Sequence, residues 1–207
     1  MTMETSEYNR DQIEAFSIVR RYFRDITKSE MSQIKRLLRP YLQFRSDLSD
    51  FQDRYLSEIC TQKCFANRNS ACCNREGIAT FFADVVINTL LSSEEERADI
   101  ITALAQDRGG FKCVYLADKG CLWRVKPIVC EMFLCKHAKD SVFANRSDLL
   151  NQWERLRRRE RRYTWPTRPV LFDRIEKIFI RKGFDSPLMY FHHGPGLLRI
   201  KARHHVP

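Results

Sequence analysis

All eight cysteines of this chain fall between positions 60 and 135, with none in the long segments on either side. Cys60 and Cys64 come first, then the adjacent pair Cys72-Cys73. Cys113, Cys121, Cys130 and Cys135 follow within 23 residues. Thiols used as ordinary small core residues would not be confined in this way. A thiolate is both a nucleophile and a soft ligand, so clustered cysteines hold a thiophilic metal, run redox chemistry or pair as disulfides.

The setting separates these outcomes. The first residues, Met-Thr-Met-Glu-Thr-Ser-Glu-Tyr-Asn-Arg, have no apolar core followed by a small-residue cleavage site, which predicts no secretory signal. The longest apolar run, Phe81 to Leu91, is broken by Asp84 and Asn88 and is too short to span a bilayer. A cytoplasmic location follows as the expectation, and there thiols stay reduced, which favours metal over disulfides. Four thiolates suffice for a closed zinc site or an iron–sulfur cluster. The uneven spacing and the vicinal pair fit paired zinc knuckles poorly, so an iron–sulfur cluster of the 4Fe–4S kind is the first expectation and zinc the second. Cys113, Cys121, Cys130 and Cys135 are the primary ligand set, with Cys60, Cys64, Cys72 and Cys73 completing the candidates. Adjacent cysteines point apart, so Cys72 and Cys73 can serve different ions. His137, two residues after Cys135, is an alternative ligand with a solvated role as its competitor.

Charge is unevenly placed. The net charge is +10 over 207 residues. Residues 1–59 carry ten basic and ten acidic side chains and residues 60–135 nine of each, whereas residues 136–207 carry seventeen against seven. The cysteine region is balanced, and the last third is a basic surface suited to an acidic protein partner or to nucleic acid. A hydrophobic content of 43% with 14 Phe argues for a packed globular chain rather than disorder.

The elements that must position the thiols read as helices. Ile13, Phe16, Tyr22, Phe23 and Ile26 form one apolar stripe. Thr27-Lys-Ser-Glu30 has the form of a capping box, and Met31, Ile34, Leu37 and Leu38 follow as a buried face. Pro40, lacking an amide donor, should kink or restart that helix. Tyr41, Phe44, Leu48, Phe51, Tyr55 and Ile59 then lead at helical spacing into Cys60, packing on the chain's own core and fixing where Cys60 sits. One further helical turn would face Cys60 and Cys64 the same way. The turn formers Asn67, Asn69, Ser70, Asn74 and Gly77 let the backbone between the cysteines fold round an ion. Two helices come next, from Ile78 to Leu91 and from Ser92-Ser93 to Gln106, with Gly109-Gly110 as the stop. Gly120 permits a tight turn before Cys121, and Pro127 leads into a short helix carrying Cys130 and Cys135.

These cysteines, with Cys113-x-x-Leu116, Gly120-Cys121 and Pro127-x-x-Cys130-x4-Cys135, resemble the eight-cysteine CxxCxxCC (YkgJ-type) zinc- or iron-chelating domain family. The resemblance spans about residues 60–135. The family's downstream half reads Cys…Leu…Gly-Cys…Arg-Pro-x-x-Cys-Arg-x-x-x-Cys, and this chain has Lys126 and Glu131 in place of the two arginines. Upstream, three residues separate Cys60 from Cys64 and seven separate Cys64 from Cys72, both longer than the family name implies. The resemblance implies metal or cluster binding. The bacterial flagellin lysine methylase carries a similar cysteine domain, so a redox or protein-modifying enzyme is an alternative that the resemblance raises.

Beyond the cysteines, Ser147-Asp148 opens a helix that buries Leu149, Leu150, Trp153, Leu156 and Tyr163. Arg155, Arg157, Arg158, Arg159, Arg161 and Arg162 fill the rest of it. They are candidate phosphate contacts for nucleic acid, aided by Trp153, Tyr163 and Trp165, against the competing reading of a solvated face paired with Glu154 and Glu160. Another helix starts near Thr167-Arg-Pro169, buries Val170, Leu171, Ile175, Ile178 and Phe179, and ends at Gly183. Residues 187–200 read as two short strands about a Gly-Pro-Gly turn. His192 and His193 there would point to opposite faces, and His204 and His205 close the chain.

The expected fold is mainly α: a single domain over residues 1–207, helical around a cysteine-rich metal-binding loop region, with a small C-terminal β-hairpin. Residues 1–59 are the scaffold, 60–135 the metal-binding core and 136–207 the basic helical extension. No dinucleotide fingerprint, Walker loop, methyl-donor Gly-x-Gly, HExxH or Ser-His-Asp pattern is present, so no catalytic residue is assigned. The function expected is a metal-binding protein with an electron-transfer or accessory role.

Overall fold

The computed structural model of the chain describes residues 6–74, 79–106, 110–164 and 170–189. It is mainly helical. Helix α1 runs Glu7–Asp25, α2 Lys28–Tyr55, α3 Phe82–Leu91 and α4 Glu94–Gln106; a π-helix, Glu58–Phe65, follows α2. After strands β1 (Leu116–Ala117) and β2 (Gly120–Cys121) come α5 (Ile128–Met132), α6 (Lys136–Phe143), α7 (Ser147–Thr164) and α8 (Leu171–Ile180).

The expected capping box is present. The Glu30 amide donates to Thr27 Oγ1 at 3.2 Å while the Thr27 amide donates to Glu30 Oε2 at 2.9 Å. Lys182 also pairs with Glu30, at 2.6 Å, which ties the end of α8 to the start of α2. The same reciprocal motif opens α4, where Ser93 and Glu96 satisfy each other's amides at 2.8 and 3.1 Å. Pro40 behaves differently from expectation: α2 runs through it without restarting. The Pro40 carbonyl accepts from Tyr163 Oη at 3.1 Å, so α7 closes over the helix where its own amide ladder is interrupted.

Helix α3 sits at the centre, with Phe82 through Thr89 all buried, and packs against α1 and α8. It is shorter than the pattern suggested, beginning at Phe82 because the Phe81 amide is taken by the Asp84 side chain. The aromatic stripe of α2 packs inward as expected. Tyr41 and Phe44 meet Tyr163 at 5.2 and 5.5 Å, and Phe51 meets Trp153 at 5.8 Å. Phe179 of α8 closes the other end against Tyr22 at 4.2 Å and Phe82 at 4.9 Å.

The small antiparallel sheet pairs Leu116 with Cys121 and Ala117 with Gly120. Its turn passes through Gly120 at a φ of 116°, a left-handed value that suits glycine. This hairpin lies among the cysteines, whereas the one expected over residues 187–200 falls outside the described residues beyond Met189. His192, His193, His204, His205 and Trp165 also lie outside them. Among the described residues, no helix is long and apolar enough to cross a membrane.

Candidate metal centre

Four chain segments carry the cysteines. The π-helix carries Cys60 and Cys64. Its i→i+5 pattern, shown by the Ala66 amide on the Thr61 carbonyl at 3.0 Å, sets residues four and five apart on one face. The backbone then turns back through Arg68 and Ser70, both at positive φ. Amides of Asn69 and Ser70 close on the Cys64 carbonyl, and the Cys73 amide closes on the Ser70 carbonyl. Lys112 Nζ binds the Asn69 carbonyl, and the Cys113 amide donates to the Cys73 carbonyl at 3.1 Å. With the Asn74–Lys112 bridge, this lays Cys73 beside Cys113 on antiparallel backbone. The β1–β2 hairpin folds Cys121 back towards Cys113, and the Leu122 amide donates to the Tyr115 carbonyl at 2.9 Å.

The loop between Cys121 and Cys130 is held from two sides. On α3, four residues apart, Asn88 Oδ1 accepts the Val125 amide at 3.1 Å and Asp84 Oδ1 accepts the Ile128 amide at 3.2 Å. From α2, Arg45 donates to the Lys126 carbonyl at 2.8 Å and to Tyr41 Oη at 2.9 Å, and Gln52 donates to the Glu131 carbonyl at 2.6 Å. Arg45 and Glu131 are about nine-tenths buried and 3.8 Å apart. Asp84, Asn88, Arg45 and Gln52 are the residues that sequence reasoning missed as determinants of the site. Their signal was present as Asp84 and Asn88, two polar interruptions one turn apart in an apolar helix. Asn88→Ala should cost about 1 kcal/mol in chemical unfolding, because the lost acceptor for Val125 is partly offset by removing an amide nitrogen, Asn88 Nδ2, that is buried without a partner among the described residues.

All eight cysteines are free thiols, so no disulfide framework is formed. Cys60, Cys72 and Cys130 are exposed and the other five half-buried. Backbone amides point at several sulfurs: those of Tyr115 and Leu116 at Cys113, that of Trp123 at Cys121, that of Ala79 at Cys130, and that of Ala138 at Cys135, the last at 3.4 Å. Such N–H···S bonds favour the thiolate. Burial opposes them and is the larger effect, pushing Cys113 and Cys130 up to about 11 and raising Cys121 and Cys60. The vicinal pair is split by its own hydrogen bond, which raises Cys72 as donor and lowers Cys73 as acceptor. Lys126, half-exposed and 3.6 Å from Glu131, keeps its charge; burial works against it, but Glu131, Cys121 and Cys73 together outweigh burial. An aromatic cluster adjoins the thiols, in which Tyr8 Oη meets Tyr115 Oη at 3.5 Å and Tyr115 packs edge-on against Trp123 at 5.3 Å.

Cys60 lies within electrostatic range of Cys72, Cys135 and Cys64. Cys73, Cys113, Cys121 and Cys130 are each within electrostatic range of the other three. Cys130 and Cys135 do not share the one short helix expected for them: Cys130 lies in α5, and Cys135 caps α6. Among the described residues no three His, Cys, Asp or Glu side chains converge closely enough to hold an ion as they stand. In chemical type the donors are soft: free thiols, several with a backbone amide directed at the sulfur. His137 is exposed on α6.

The arginine helix is partly committed to packing. Arg159 pairs with Asp47 at 2.6 Å and lies over the Phe44 ring at 5.4 Å, and Arg157 pairs with Glu154 at 3.1 Å. Arg155, Arg158, Arg161 and Arg162 are exposed. Leu150, expected in the buried stripe, is exposed as well.

No family model, curated protein or solved structure matches this chain.

Proposed function

We propose that this chain is a cysteine-ligated metal protein, holding an iron–sulfur cluster or zinc and serving in electron transfer or as an accessory to another protein. The observation that carries the reading is eight free thiols on four separated segments, each within electrostatic range of at least one other. Thiols within electrostatic range of one another repel once ionised, and a bound cation offsets that repulsion. The resemblance to the eight-cysteine chelating family supports the same reading.

The donors give the centre its character. Cys113, Cys121 and Cys130 supply sulfur with amide hydrogens already aimed at it, which holds the charge of a bound thiolate. Tyr115 and Trp123, both buried, back this region with apolar surface. A metal there would provide either structural cross-linking or, as an iron–sulfur cluster, one-electron chemistry. The exposed sulfur atoms leave one side open to a partner, and the basic α7 face suits an acidic one.

Anoxic purification of the full chain followed by metal and acid-labile sulfide analysis tests this. Iron and sulfide in equal amounts with broad visible absorption are expected for a cluster; stoichiometric zinc in a colourless protein places the ion instead. A reduced, folded chain with neither metal above trace, even after reconstitution, would overturn the proposal.

A further inference from the structure

We infer that the groove between α2 and the end of α3 binds a single-chain anionic amphiphile, a long-chain fatty acid. Its carboxylate meets Lys35, Arg36 and Arg39, and its tail lies on Leu38, Leu42, Leu90 and Leu91. No cysteine lines this groove, so the inference goes beyond the metal-protein reading and does not depend on it.

The groove has a volume of about 590 Å³ and is lined by residues of these two helices alone. Its floor is apolar and recessed: Leu38 is fully buried, and Leu42, Leu90 and Leu91 are half-buried. Its rim is cationic, because Lys35, Arg36 and Arg39 are exposed. Arg39 is four residues from Lys35 and three from Arg36, so all three side chains crowd one stretch of helix face. Further along α2 the lining continues through Gln43 and Ser46, which carry no charge. The groove is thus charged at one end and neutral at the other.

The protein does not neutralise these cations itself. Between Glu30 and Asp47, α2 has no acidic residue, and both of those are taken: Glu30 by Lys182 and Asp47 by Arg159, each at 2.6 Å. Among the described residues Lys35, Arg36 and Arg39 form no ion pair. Clustered like charges beside apolar surface attract an anion, and a carboxylate accepts charge-assisted hydrogen bonds from them.

Size decides the class of ligand. Small-molecule sites enclose about 300–1,000 Å³, whereas a stable protein partner engages about 20–30 residues a side, far more than line this groove. From Lys35 to Ser46 the helix rises about 16 Å, a span that an extended dodecanoate fills. A membrane surface needs apolar side chains that protrude, and here they lie below a charged rim. Residues 190–207 of this chain hold Arg199, Lys201 and Arg203 with no acid, the wrong charge for that rim.

The test is calorimetric titration of the full chain with dodecanoate below its micelle threshold, beside octanoate, dodecyltrimethylammonium, an acidic amphipathic peptide and phosphatidylglycerol vesicles. One saturable equivalent of dodecanoate is expected. Octanoate should bind at least about tenfold more weakly, since each buried methylene is worth about fourfold. Arg36→Gln/Arg39→Gln, at exposed positions, should keep the fold and weaken dodecanoate by about tenfold through the lost charge-assisted bonds. Arg155→Gln/Arg158→Gln on α7 should leave dodecanoate binding unchanged. No saturable uptake, equal binding of dodecyltrimethylammonium, or equal loss in both double variants would overturn the fatty-acid site. So would an undiminished affinity in Arg36→Gln/Arg39→Gln. Vesicles or the peptide binding where dodecanoate does not would replace the fatty acid with a lipid surface or a protein partner.

Discussion

Cys121→Ser should lower the affinity of the reduced chain for its metal about a hundredfold. Structural thiolate sites bind with apparent free energies of about 10–16 kcal/mol, so each of four ligands carries about 3 kcal/mol, and that is a factor of about a hundred. The substitution is chosen because its structural cost is small. Serine keeps an acceptor for the Trp123 amide and fits the half-buried position opposite Leu116. What it removes is the soft, ionisable sulfur. The contrast is His137→Ala, which should leave metal content unchanged, because His137 is exposed on α6. Competition with a chromophoric chelator measures both. Equal affinity for Cys121→Ser and wild type would remove Cys121 from the ligand set.

Asp84→Ala should destabilise the chain by about 2–6 kcal/mol in chemical unfolding. Asp84 is 2% exposed and accepts two amides, Phe81 at 3.1 Å and Ile128 at 3.2 Å. Each buried amide left without a partner costs about 1–3 kcal/mol. The first contact starts α3 and the second holds the segment leading to Cys130, so the variant should also bind metal less tightly. Asp84 predicts a pH dependence too. Burial lifts its carboxyl from 3.8 to about 7, against the two amides and the Arg45 charge that pull it down. The folded chain therefore holds a proton that the unfolded chain releases above about pH 4. The stabilisation from this group is complete below that pH and is lost as pH rises to about 7. Asp84→Asn should flatten that part of the stability profile, and an unchanged slope would show that another group sets it.

The helices were legible because burial imposes a period. Tyr41, Phe44, Leu48 and Phe51 recur at spacings of three and four, and the structure buries all four on one face of α2. Thr27 and Glu30 announced a helix start that forms as written. Pro40 misled for a physical reason: proline removes one amide, but packing can carry a helix across the gap, and here α7 closes over it through Tyr163. The division of Cys130 from Cys135 between α5 and α6 was invisible because so short a helix is set by its contacts, with Asp84 and Gln52 fixing its ends.

Residue types and their periodicity were enough to tell which atoms are available for chemistry, eight sulfurs in one stretch, and that helices would frame them. Side-chain chemistry and periodicity are local properties, readable residue by residue. Which cysteines become neighbours is a matter of long-range backbone pairing. Cys73 stands beside Cys113, forty residues away, because the Cys113 amide donates to the Cys73 carbonyl. The segment leading to Cys130 depends likewise on polar groups of α2 and α3, Arg45, Gln52, Asp84 and Asn88, reaching a distant loop. No local pattern encodes such a reach, since its free energy arises only when the core has already brought the partners together.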